Sequence, residues 1–271
     1  MAGRRLLVCG GSGFLGKKLC ETAVAHGWAV TSVSRSGEPR WPAAAPTWAS
    51  AVKYASVDVL ASDAEERLAP LLAETDAVAH TLGILLELDY YKTFASAATP
   101  VEGLRQVCAK WNRNPLKHVI EDAPTYESMN RDSAIRVAAV AQKFTNVKSF
   151  LYVSAASGFP GLPQAYIKTK REAEAAISAM PGLRPILLRP GFMFDPSRPL
   201  SMVARLPMHA LSAVNAQLGG NVPVLRSPAV DAISTAVVAA AGVRALEDEA
   251  IAGPLDAATM RRLAREASEA A

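Results

Sequence analysis

Tyr166 and Lys170 stand four positions apart, the spacing that brings a phenol and an ammonium onto one face of a helix. A neighbouring ammonium favours the phenolate and lowers a tyrosine's ordinary value of about 10, which makes Tyr166 a competent general acid or base. Upstream, Ser154 falls at the C-terminal end of a predicted strand, where a hydroxyl can polarise a carbonyl. Together these residue types suit hydride transfer to or from a carbonyl, with Ser154, Tyr166 and Lys170 as the catalytic candidates.

Hydride chemistry needs a dinucleotide, and the N-terminus offers a cradle for one. The run Gly10-Gly11-Ser12-Gly13-Phe14-Leu15-Gly16 follows an apolar strand and opens a helix. Glycines there permit a sharp turn, close backbone approach to a pyrophosphate and tight packing of helix on strand. The helix N-terminus adds amide donors and the positive end of a dipole. The spacing is GxxGxxG rather than GxGxxG, so its strand–turn–helix setting carries the weight.

At the end of the second predicted strand an NAD-specific site would place a carboxylate on the ribose 2′-hydroxyl. This chain has Ser34 and Arg35 there, with no carboxylate before Glu38. A guanidinium pairs bidentately with a 2′-phosphate, so the expected cofactor is NADP(H) rather than NAD(H). Asp58, followed by Val59 after the third strand, is placed to accept from the adenine amino group. His80, Thr81, Leu82 and Gly83, after the fourth strand, would flank the adenine ribose. Each of these also suits an ordinary strand-end turn.

The elements that position these residues alternate strand and helix. Strands are predicted at Arg5–Cys9, Trp28–Val33, Val52–Val57, Ala77–His80, Ser149–Val153 and Arg184–Arg189. Helices are predicted over Phe14–His26, about 63–73, Tyr126–Lys143 and Ala165–Met180. That order predicts an α/β fold, a Rossmann-type doubly wound parallel sheet with a small C-terminal helical region. Residues 1–194 form the expected nucleotide-binding domain, and 195–271 a smaller region packed on it and facing substrate or partner. The stretch 83–123 shows no clean period and reads as a functionally placed insertion. Abundant alanine after Ala229 favours closely packed helices.

Composition narrows the function classes. Half of the 271 residues are apolar, a fifth are charged, and the net charge is +4. This describes a globular protein with a large core, without the clustered basic patch that nucleic acid requires. Cys9, Cys20 and Cys108 form no CxxC pair, and the four histidines show no metal-ligand spacing. No metal and no transmembrane helix are expected. From Pro196 to Val230 there is no acidic residue, and Leu200 to Leu218 is apolar at helical spacing. This stretch suits peripheral contact with a membrane or a partner subunit, or a lid over the cofactor.

Over about residues 5–240 the chain resembles the short-chain dehydrogenase/reductase superfamily in its extended or atypical branch. The resemblance rests on Gly10, Gly13, Gly16, Asp58, Asn130, Ser154, Tyr166, Lys170 and Arg189-Pro190-Gly191. It implies that Ser154 and Tyr166 hold a carbonyl, that Lys170 binds the nicotinamide ribose and tunes Tyr166, and that Pro190 also borders the cofactor.

Longer strings, at 13–17, 32–37, 152–155, 166–174 and 189–195, resemble a narrower mitochondrial branch: Rossmann-type proteins associated with the fungal coenzyme Q (ubiquinone) biosynthesis complex. A related branch is the NADPH-holding accessory subunit of respiratory complex I. The resemblance implies partner subunits and a place on the matrix side of the mitochondrial inner membrane, with cytoplasm or plastid as alternatives. Two uses of the cofactor follow: a mainly structural NADPH, or an active NADPH-dependent reductase of a carbonyl or quinone. Gly158, Pro160, Gly161 and Pro163 between Ser154 and Tyr166, and the short C-terminal region, depart from active reductases.

Overall fold

The structure is a computed structural model that describes residues 3–41, 44–84, 124–157, 164–196 and 232–269. The insertion read over 83–123 lies almost wholly outside the described residues. So do the stretch 196–230 and the glycine- and proline-bearing linker.

Six strands take the places read from the sequence: β1 (Arg5–Cys9), β2 (Ala29–Ser34), β3 (Val52–Ser56), β4 (Ala77–His80), β5 (Ser149–Val153) and β6 (Arg184–Leu188). Two short strands, β7 (Met193–Phe194) and β8 (Ile233–Ser234), pair with each other, and β9 (Gly253–Leu255) closes the main sheet. The order is β3-β2-β1-β4-β5-β6-β9, with every pair parallel. The reversal of order on either side of β1 puts a switch point between β1 and β4, where doubly wound sheets open a ligand crevice.

The helices are α1 (Phe14–Ala25), α2 (Ala64–Leu72), α3 (Ser133–Ala141), α4 (Gln164–Ser178), α5 (Thr235–Glu247) and α6 (Ala257–Glu269). A π turn over Glu127–Asp132 leads into α3.

Side chains alternate across each strand, and here both faces are covered. Leu6 and Val8 pack with Leu19 of α1, Val238 of α5 and Met260 of α6. Leu7 and Cys9 pack on the other face with Leu68 of α2, Val137 of α3 and Ile177 of α4. Each fully buried leucine contributes about 1.5–3 kcal/mol relative to exposure, so these two layers fix the strand ends that carry the site. Burial pushes the Cys9 and Cys20 thiols up to about 12.

The alanine-rich C-terminal segment forms α5, and its small residues let it lie close to the sheet. A Cβ on Gly242 would come 3.0 Å from Leu151 Cδ1 and 3.4 Å from Leu188 Cδ1. Ser234 caps α5 by accepting from Val237 N at 3.2 Å. The strand β9 has three residues, one of them proline, and so shows no period in the sequence. It lies at the sheet edge, where a missing amide is tolerated.

Candidate functional site

The glycine turn leaves β1 through Gly10, whose φ of +88° is the left-handed conformation that glycine adopts without a Cβ clash. Gly10 N donates to Val33 O at 2.7 Å, and Gly13 N donates to Gly10 O at 2.8 Å. A Cβ on Gly16 would stand 2.1 Å from Gly10 O, so α1 can pack on the turn only because Gly16 has no side chain. Gly11 is tight against a side chain rather than backbone, since a Cβ there would lie 2.3 Å from Ser32 Oγ.

Gly13 is the N-cap of α1. It offers no side-chain cap, and the first helical turn holds no acidic residue. Ser12, Phe14 and Leu15 complete this terminus. An uncapped helix start beside a glycine turn is a ready site for a pyrophosphate.

The residues read as contacts for the adenosine half lie along the same edge. Ser34 is buried and donates to Gly37 O at 2.9 Å, while Arg35 is exposed beside it. The Arg35 carbonyl accepts from Ser56 Oγ at 2.8 Å, which fixes its backbone and leaves the guanidinium outward. Asp58 Oδ1 accepts from Leu60 N at 3.0 Å, an Asx turn after β3, and Val59 is buried in the core.

Thr81 donates to Cys9 O through both its amide (2.8 Å) and its hydroxyl (3.0 Å), which ties the end of β4 to the glycine turn. Leu82 reaches the same turn, 2.9 Å from where a Gly10 Cβ would stand. His80 does not flank this surface. Its ring is fully buried, 3.1 Å from Ser133 Oγ. Burial, with the nearby Lys170 charge, pushes it down to about 3, so it is a neutral packing residue.

Helix α4 carries both Tyr166 and Lys170. Lys170 is buried, donates to Val153 O at 2.8 Å and lies 4.9 Å from the Tyr152 ring centroid. Burial brings its ammonium down to about 7 against the opposing pull of Glu174. Gly83 sits against this amine, because a Cβ there would be 3.1 Å from Lys170 Nζ and 2.8 Å from Asn130 Oδ1. Asn130, buried in the π turn, accepts from Ile84 N at 2.8 Å and donates to Ile84 O at 3.0 Å. Its own carbonyl accepts from the Tyr152 hydroxyl. Tyr166 is half-buried and meets the Tyr126 ring edge-on, 5.8 Å between centroids. Pro190 is buried, and its carbonyl accepts from Ala156 N at 2.8 Å.

Ser154 stands in different company. It is buried, and its hydroxyl accepts from Arg171 Nη1 at 3.1 Å. Arg171 also donates to Glu174 at 2.8 Å and to the carbonyls of Ala155 and Ala156. Arg189 forks onto Glu174 from the other side, at 2.9 and 2.5 Å. Burial would raise the Glu174 carboxyl, but hydrogen bonds from Arg189 and the charges of both arginines outweigh it and hold it below the usual range. This network was missed in the sequence. The i,i+3 spacing of Arg171 and Glu174 was its one visible trace.

The parallel sheet, the switch point and the uncapped glycine turn define a Rossmann-type domain of the dehydrogenase and epimerase kind. The profile of the NAD dependent epimerase/dehydratase family matches residues 6–120. MIOREX complex component 2 of Saccharomyces cerevisiae is 39% identical over 217 residues, covering 72% of this chain and 74% of that protein. The chain belongs to the family of that yeast protein. An uncharacterized chloroplastic protein of Arabidopsis thaliana is 25% identical over 192 residues, and the match spans 51% of its length.

Among solved structures, Bordetella bronchiseptica WbmF in complex with NAD+ superposes with a TM-score of 0.55 at 17% identity, over 99% of this chain and 78% of that one. UDP-N-acetylglucosamine 4-epimerase from Bacillus cereus gives 0.54 at 16%, over 96% and 84%. At that identity the two structures show the shared fold.

Proposed function

We propose that this chain holds NADP(H) as a mainly structural cofactor within a mitochondrial protein complex of the quinone and respiratory machinery, on the matrix side of the inner membrane. The observation that carries this reading is the contrast within one site. The pyrophosphate cradle at Gly10–Gly16 is intact, while Ser154 is buried with its hydroxyl held by Arg171 at 3.1 Å. A serine so engaged is not presented to a substrate carbonyl, so the dinucleotide is bound without a complete set of groups for turning it over.

Arg35, exposed at the end of β2 with no carboxylate beside it, supports NADP(H) over NAD(H). WbmF binds NAD+ in its solved complex, which supports a dinucleotide in this fold. The yeast relative is a component of a complex, which supports partner subunits for this chain. Residues 1–194 are the nucleotide-binding part in this reading and 195–271 the partner-facing part, with α5 and β9 returning to the sheet. The cofactor contacts assigned to Gly10–Gly16, Ser34, Arg35, Asp58, Val59, Thr81–Gly83, Lys170 and Pro190 belong to the same proposal.

One observation favours the alternative, an active reductase. Lys170 is buried on α4 with its ammonium near neutrality, four positions after Tyr166. Both readings are tested by NADPH fluorescence titration followed by NADPH consumption with short quinones and aldehydes. Tight binding without consumption is the expected result. Sustained oxidation that disappears in Tyr166→Phe would establish the reductase instead.

A further inference from the structure

A cavity of about 390 Å³ opens between β8, the start of α5 and one face of α6, and the residues assigned to the dinucleotide do not line it. That volume lies within the range of small-molecule sites. Its walls are of two kinds. Phe194 and Val237, both part-exposed, supply an apolar side over the buried Ile233, while Arg261 and Arg265 stand one turn apart on α6. Arg261 donates to Ala232 O at 3.1 Å and so helps to build the wall.

Arg265 is exposed, and no hydrogen bond or ion pair engages it among the described residues. The adjacent Arg262 pairs with Glu266 at 2.7 Å, and no ion pair joins Arg265 to Glu269, one turn further along α6. None of the lining residues is acidic. Asp195 is buried and accepts from Thr235 Oγ1 at 3.1 Å, so its charge is spent within the protein rather than on the cavity. The α5 terminus at Ser234 lines the same space without an acid in its first turn, so the helix dipole adds to the positive end.

We propose that this cavity binds a small anionic amphiphile, with a carboxylate or phosphate head on Arg265 and a short aliphatic chain along Phe194 and Val237. A free guanidinium recognises either head by charge-assisted hydrogen bonds, and the apolar wall takes the chain from water. This inference stands apart from the cofactor reading, because it uses none of the residues assigned to the dinucleotide.

Calorimetric titration of the full chain tests it with decanoate and decyl phosphate, both below their micelle concentrations. Decanol, decyltrimethylammonium, acetate and inorganic phosphate are the controls. The expected result is saturable one-to-one binding of one or both anionic amphiphiles, with the preferred head identifying its source, and weaker binding of every control. Arg265→Glu and, separately, Val237→Trp should each weaken it about tenfold or more, while NADPH binding is unchanged. Arg265→Gln, at an exposed position, supplies a variant that keeps the fold. Binding that is unsaturable, equal for the cationic amphiphile, or indifferent to both Arg265 variants would overturn the proposal. Loss of NADPH binding in wild-type protein would count against the cofactor reading alone.

Discussion

The two ends of the candidate site are built on opposite terms. At the β1–α1 turn the working groups are backbone amides, made available by glycines that leave no room for side chains. At the β5–α4 end the polar groups are side chains, and those of Ser154 and Glu174 are engaged with neighbouring protein groups. The first arrangement awaits an anion. The second is satisfied internally. In the proposed reading, holding a dinucleotide and reacting it are separable properties, one resting on each end.

The largest expected effect on cofactor binding falls at the turn. Gly16→Val would drive a branched side chain into the Gly10 carbonyl and should cost about 1–3 kcal/mol of stability, with loss of measurable NADPH binding. Thermal unfolding read alongside fluorescence titration checks both. Retained binding would break the assignment of this turn.

At the other end, Glu174→Gln leaves Arg171 and Arg189 without their shared carboxylate. Because both guanidiniums are part-exposed, the loss should be about 2–3 kcal/mol in denaturant unfolding, with NADPH affinity little changed. The pH dependence has a definite sign. The folded-state value of Glu174 lies below its unfolded value near 4.5, so its contribution is complete above that value and is lost as pH falls through the folded one. The variant should lose this part of the acid limb.

Lys170 gives the opposite limb. Burial places its folded value at about 7 against 10.5 unfolded, so between those values the unfolded chain binds more protons and stability rises with pH. Lys170→Met should abolish that alkaline gain, as followed by denaturation midpoints across the window. A gain that survives the substitution would assign it to another group.

Smaller effects separate the parts of the cofactor. Arg35→Glu should reduce affinity for NADPH about tenfold to a hundredfold while changing NADH far less, as measured by competitive titration. Asp58→Ala removes the Asx turn to Leu60 and should cost about 1 kcal/mol.

Much of the fold was legible because its signals are local. Five of the six strands read from the sequence are largely apolar runs inside the sheet, and the turn is marked by glycines at spaced positions that packing requires. Tyr166 and Lys170 were legible for the same reason, since one helix carries both. The Ser154 network was not. Arg189 comes beside Ser154 and Glu174 because β5 and β6 pair Val153 with Leu188, a register that no local pattern states. Asn130 was visible only as part of a resemblance. Its clamp on Ile84 depends on a π turn that widens the helix where the side chain must reach outward. The short strands β7, β8 and β9 have too few residues to show a period.

The two buried thiols described with the core offer a native clock. Cys9 ends the strand that enters the glycine turn, and Cys20 lies on the helix that leaves it. With both thiols buried and their ionisation suppressed, a thiol reagent can reach them only while that unit is transiently open. The rate at which each is modified, resolved by peptide mapping, therefore reads the opening free energy of the nucleotide-binding half without any substitution. A bound dinucleotide should slow both rates by the same factor.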